Sequence, residues 1–222
     1  MHSVSIPSFA TERGLLMGLK RAFEPAKTAV IAIDFQHFFI DEGQPMGNAH
    51  ARGILDNANR VHAAVRKAGG LVVFTQHSVA PLPTLSANGE GLAQSAPEQM
   101  SAHALLPGSA SYEIHPQIER TAADLTVVKY QSSPLHPRSG TRLDEMLRRR
   151  GIETLIITGL VTNGCCDCTA RDAFQYGYNV VVATDATAAM TDEEHNGALL
   201  SLAIYYAQVM SADAIAAALR KL

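Results

Sequence analysis

The chain has 222 residues, 47% of them apolar and 18% charged, with a net charge of -3. That length suffices to bury a core without disulfide or metal staples. The near-neutral balance excludes a basic nucleic-acid binder and an acidic solvating tail, and no stretch reaches the roughly 18 apolar residues of a membrane span.

In chain order, short apolar runs alternate with amphipathic ones. TAVIAI (28–33), LVVFTQ (71–76), LTVVK (125–129), TLIITG (154–159) and NVVVAT (179–184) read as strands, with AQVMSA (207–212) a weaker sixth. Strands without polar alternation are buried on both faces, as in a parallel sheet covered by helices. After the first strand, ILDNANRVHAAVRK sets Ile54, Leu55, Ala58, Val61 and Val65 on one stripe and stops at Gly69 and Gly70. Thr141 with Asp144, and Thr191 with Glu194, have capping-box spacing at the start of two later helices. Strands and helices alternating throughout predict one α/β domain over residues 1–222. Residues 78–124 break the rhythm: they are rich in Ser, Ala, Pro and Gly and too long for an ordinary crossover. A short helix is expected near 113–120, and Leu105, Leu106, Tyr112 and Ile114 give the segment the apolar material of a lid or a subunit contact.

The start, MHSVSIPSFATERGLLMGLK, lacks the pattern of a secretory signal, which predicts a cytoplasmic, reducing setting. All three cysteines, Cys165, Cys166 and Cys168, stand together, so structural disulfides are not expected. A zinc site would want a second pair of ligands at matching spacing, which the nine scattered histidines do not supply. The pair Cys165 and Cys168 lacks the thioredoxin-like setting of a redox motif, and neither G-x-G-x-x-G nor a Walker A loop is present.

In open α/β sheets ligands bind beyond the carboxyl ends of the strands. Standing there are Asp34, Gln76 and His77, Lys129, Cys165 and Asp185. Cys165 falls where an amphipathic run begins, in the first turn of a helix, and there a thiol beside a lysine can be lowered from about 8.5 to roughly 3.5–7.5. On this geometry Cys165 is a thiolate nucleophile, whereas Cys166 and Cys168 are rotated away into the interior.

Several stretches together resemble the isochorismatase-like cysteine hydrolases: the strand running into Asp34, Phe35 and Gln36, the strand-ending Lys129, and above all GLVTNGCCDCTARDA with GYNVVVATDA after it. LPGSASYEIHP is similar to a further stretch of that family, and the resemblance covers about residues 27–212.

The resemblance implies a three-layer α/β/α sandwich around a six-stranded parallel sheet, and an Asp-Lys-Cys triad. The triad falls on Asp34, Lys129 and Cys165, the thiol being three positions after Thr162. It implies a cis bond between Leu160 and Val161, and an oxyanion hole from the backbone N–H groups of Val161 and Cys165. The implied activity is a cofactor-free amidohydrolase that cleaves a small amide or ureide through an acyl-enzyme. The alternatives are a hydrolase of the same fold acting on a vinyl ether or ester, or a silent binding protein. The nicotinamidase branch binds a metal through D-x-H and further histidines; DFQHFFIDEGQPMGNAH has no D-x-H, so no metal is expected and His37 and His50 are read as surface or rim residues. YQSSPLHPRSGT departs from the family's usual stretch after the lysine, and T-N-x-C-C leans toward members acting on carbamoyl and ureido compounds. Gln36, Phe39 and His77 are the candidate substrate contacts; the resemblance implies a homodimer or homotetramer, while the charge balance and the lack of a long apolar run predict no nucleic-acid or membrane partner.

Overall fold

The computed structural model describes residues 1–19, 24–79 and 104–220. In chain order it contains α1 (Ser8–Leu16), β1 (Thr28–Ile33), α2 (His37–Ile40), α3 (Leu55–Lys67), β2 (Leu71–His77), β3 (Leu125–Lys129), α4 (Leu143–Arg149), β4 (Thr154–Leu160), α5 (Asp167–Gln175), β5 (Asn179–Ala188), α6 (Asp192–Tyr205), β6 (Gln208–Met210) and α7 (Ala212–Arg220). All six strands are parallel and lie in the order β3-β2-β1-β4-β5-β6. The order reverses direction between β1 and β4, which opens the crevice in which such sheets hold their ligands.

Alternate residues of β1 feed two cores. Val30 and Ala32 pack with Leu55, Ala58, Val61 and Val65 of α3 and with Ile215 and Leu219 of α7. Ala29, Ile31 and Ile33 face the other way, onto Leu143 and Leu147 of α4, Ala170 and Ala173 of α5 and Leu199 and Leu202 of α6. The result is the expected three-layer sandwich. The two edge strands depart from two-sided burial, β3 with Thr126 exposed and β6 with all three of its residues half-buried.

The helix signals are met in part. α3 ends one residue before Ala68 with Gly69 at φ +81, and Thr191 and Glu194 form a reciprocal capping box on α6. The Thr141 box does not form: the cap of α4 is Arg142, and the Thr141 hydroxyl donates to Pro134 O instead. No helix forms at 113–120, where Ile114 bridges to Gln36 as extended chain and Pro116 disfavours helical backbone at His115. Of the long 78–124 segment, residues 80–103 lie outside the described residues, while Leu105, Tyr112 and Ile114 are buried. β5 runs on to Ala188, so Asp185 lies within a strand, where its carboxylate accepts the Ala212 N–H. No helix among the described residues is long and apolar enough to cross a membrane.

Candidate active site

Each member of the site is delivered by the end of a parallel strand. Asp34 follows β1 directly and adopts φ +48, a left-handed conformation that Asp tolerates better than most residues and that carries its side chain across the strand ends. Thr75 of β2 fixes it from both sides: its hydroxyl accepts the Asp34 N–H at 3.1 Å and donates to Asp34 Oδ1 at 2.5 Å. Lys129 closes β3, in register with His77 of β2, and has no exposed surface. Its Nζ lies 2.7 Å from Asp34 Oδ2, 2.9 Å from His77 Nδ1, 3.1 Å from Gln131 O and 3.3 Å from Cys165 Sγ.

The thiol arrives on a different kind of element from the one expected. After β4 the Leu160–Val161 bond is cis, and residues 162–166 form a wide π-type turn interrupted at Gly164 before α5 begins. Val161 O accepts both the Gly164 and Cys166 N–H groups, at 3.0 and 3.2 Å, and Thr169 of α5 donates its hydroxyl to Cys165 O at 2.6 Å. Cys165 is therefore held in the turn, not in the first turn of a regular helix. This difference also corrects the placing of its neighbours: Cys166 is buried as expected, but Cys168 is exposed. Regular helical spacing starts only at Asp167, and the inward positions of α5 are taken by Thr169, Ala170 and Ala173.

The electrostatics overturn the expected thiolate. Burial pushes the Cys165 thiol up, the Lys129 ammonium opposes this, and the Asp34 carboxylate adds to it, leaving the thiol at about 12. It rests protonated, and a reaction at sulfur needs a base. Asp34 is suited to that role: its Oδ2 faces Lys129 as an ion pair at 2.7 Å, and its carboxylate lies within 4.8 Å of the Cys165 sulfur. Burial works against the charge on Lys129, but the neighbouring Asp34 and Cys165 outweigh it and raise its pKa.

Asp34, His77 and Cys165 bring potential metal-ligating atoms within 4.8 Å of one another. They do not fit a metal ion, because the Lys129 ammonium already stands against all three. A second group, His37, Asp41 and His115, lies at α2, where Asp41 is taken by His37 Nδ1 at 2.6 Å and by Arg52 at 2.7 Å.

The three expected substrate contacts fare differently. Gln36 is fully buried, its amide donating to His77 O and Tyr112 O and accepting the His77 N–H. It ties the end of β2 to the loop at 112, with both amide protons engaged. Phe39 lies in the core, edge-on to Phe38 and His77. His77 sits in the site itself; burial foremost, and then Lys129, hold it well below its ordinary pKa, so its ring is neutral and Nδ1 accepts from the ammonium. Thr75 was missed by sequence reasoning, and its one available signal was a hydroxyl following the apolar run LVVF.

Residues 28–214 match the family model described as the isochorismatase domain. The chain is 32% identical over 187 residues to nicotinamidase 3 of Arabidopsis thaliana, covering 83% of this chain and 85% of that protein. It is 30% identical over 209 residues to a ureidoacrylate amidohydrolase of Yersinia enterocolitica, covering 86% and 89%. Among solved structures, a cysteine hydrolase from Pseudomonas syringae pv. phaseolicola superposes with a TM-score of 0.81 at 23% identity over 90% of this chain and 96% of that one, a likeness of fold.

Proposed function

The chain belongs to the isochorismatase family, and from that premise we propose that it is a cysteine-dependent amidohydrolase cleaving the C–N bond of a small amide or ureide. The observation that carries the reading is the Lys129 ammonium, 2.7 Å from the Asp34 carboxylate and 3.3 Å from the Cys165 sulfur. Relatives named for amide hydrolysis, a nicotinamidase and a ureidoacrylate amidohydrolase, support the same class of reaction.

In this mechanism Asp34 takes the thiol proton as Cys165 attacks the substrate carbonyl, and Lys129 stabilises the sulfur anion as it forms. The N–H groups of Val161 and Cys165 hold the tetrahedral oxyanion, each donor contributing about 3–4 kcal/mol. Collapse expels ammonia or an amine that takes its proton from Asp34, leaving a thioester on Cys165. Water, deprotonated by Asp34, then attacks the thioester; the acid product departs and the proton returns to sulfur. Neither a metal nor an organic cofactor enters these steps. His77 borders the acyl site with Phe39 packed behind it, and the protein works as a homo-oligomer.

Ammonia release from biuret, carbamoyl amino acids, ureidoacrylate, maleamate and nicotinamide tests the proposal. Native protein is expected to turn over one class of these compounds, with Cys165→Ala lowering kcat at least about 1,000-fold and Cys166→Ala leaving it within a few-fold. Full activity in Cys165→Ala, or no ammonia from native protein across the panel, would overturn it.

A further inference from the structure

Outside the triad, a buried histidine on α6 reaches the turn that carries the thiol. We infer that His195 is a positioning residue which fixes the Cys165 turn through the hydroxyl of Thr162, an inference that rests on Cys165 being the nucleophile.

The hydrogen-bond polarity leaves one arrangement. His195 Nε2 lies 3.0 Å from Thr184 O, and a carbonyl only accepts, so Nε2 carries the proton. In the neutral ring Nδ1 is then an acceptor, and the Thr162 hydroxyl, 2.8 Å away, donates to it. Both residues have no exposed surface. The ring is also clamped by stacking: His2 lies on it at 4.2 Å between centroids, and His50 on His2 at 3.9 Å. His2 is itself fixed, accepting the Ala189 N–H at 3.0 Å while its Nδ1–H meets Asp192 at 2.7 Å. Burial, with His2 and His50 adding to it, holds His195 at about 4 against the pull of Thr184 and Asp192, so the acceptor at Nδ1 persists at neutral pH.

Thr162 begins the turn that ends in Cys165 and Cys166. The turn thus has one anchor on each flank: Thr162 to α6 through His195, and Cys165 O to α5 through Thr169. With both in place, the sulfur is held against Lys129. A reacting group displaced by about 1 Å typically loses about 100-fold in rate, which sets the scale of effect.

The test compares Thr162→Ser, Thr162→Val, His195→Gln and the Thr162→Val/His195→Gln double variant, all in a Cys168→Ser background so that the exposed thiol does not report. Two readouts are taken with thermal midpoints: kcat and KM on the panel substrate, and the apparent pKa of Cys165 from pH-dependent iodoacetamide alkylation resolved by peptide mass spectrometry. Thr162→Ser is expected to stay within about threefold of native. Thr162→Val and His195→Gln should lose about 10- to 100-fold in kcat with KM within about twofold, and the double variant should be no worse than the poorer single. In the impaired variants the thiol pKa should fall by a unit or more toward that of an exposed cysteine, because burial is its largest perturbation. Unchanged kcat and thiol pKa in Thr162→Val would overturn the inference, as would Thr162→Ser behaving like Thr162→Val. If no substrate turns over, the proposed function fails, while the alkylation profile still decides this point. If His195→Gln does not fold, the two Thr162 variants decide it alone.

Discussion

Lys129 is a charged side chain with no exposed surface, tolerated because its ammonium meets a carboxylate, an imidazole nitrogen, a carbonyl and a sulfur. Removing one partner of such a buried pair leaves the other uncompensated. Lys129→Met is therefore expected to abolish activity and destabilise the fold by about 3–5 kcal/mol. Adding Asp34→Asn should restore part of the stability and none of the activity. Urea denaturation of the two variants checks this, and a double variant no more stable than Lys129→Met would refute the pairing account. At this scale the site was largely legible. Asp34, Lys129 and Cys165 each stand at the carboxyl end of an apolar run, where chemistry is sought in such folds. The protonation state of Cys165 was not legible, because it depends on burial by residues distant in sequence. Gln36 was misjudged for a related reason: a polar residue after a strand looks the same whether it meets substrate or backbone.

Among the elements, β4 does the most to aim the site. Gly159 pairs with Ile33 of β1, holds φ +114 and interrupts the register with β5, so the strand can bend where it delivers Val161 and the thiol turn. A Cβ at Gly159 would stand 2.0 Å from Ile33 O. Gly159→Ala is expected to cost at least about 3 kcal/mol or to leave the protein insoluble. In α6, by contrast, a Cβ at Gly197 would meet nothing within 4 Å, and Gly197→Ala should gain about 0.5–1 kcal/mol. Thermal midpoints of the two variants separate the cases, and a mild effect at Gly159 would mean that the bend is not required. The strands were readable because unbroken β-branched runs admit few other structures. α1 was not anticipated: its exposed Phe9 and Leu16, with Met17 just beyond, give no clear stripe. The Thr141 box does not form because α4 starts one residue later, capped at Arg142; the Thr141 hydroxyl donates to Pro134 O and accepts the Leu143 N–H instead.

Across the whole molecule, buried neutral histidines couple stability to pH. Burial holds His62 at about 3, wedged between Phe35 and Phe74, and His195 at about 4, against 6.5 for an exposed ring. Below pH 6.5 the unfolded chain takes up protons that these rings refuse when folded, so stability falls as pH drops through the window down to 4 for His195 and 3 for His62. Each is expected to remove about 2 kcal/mol between about pH 7 and about pH 5. Urea midpoints at those two pH values, with His62→Leu as the comparison, should show a shallower pH dependence in the variant; an equal slope would assign the effect to other groups. The α/β class followed from the alternation of patterns, whereas the strand order did not, since nothing local in a strand names its neighbours. That order also arranges events in time. β1 finds β2 across a single long helix, but its other neighbour, β4, pairs Thr28 with Thr154 only after more than half the chain has been made. Closing so long a loop is entropically costly and slow. A chain growing from its amino end thus presents Asp34 and Lys129 before any thiol, and Cys165 is the last of the three to be made.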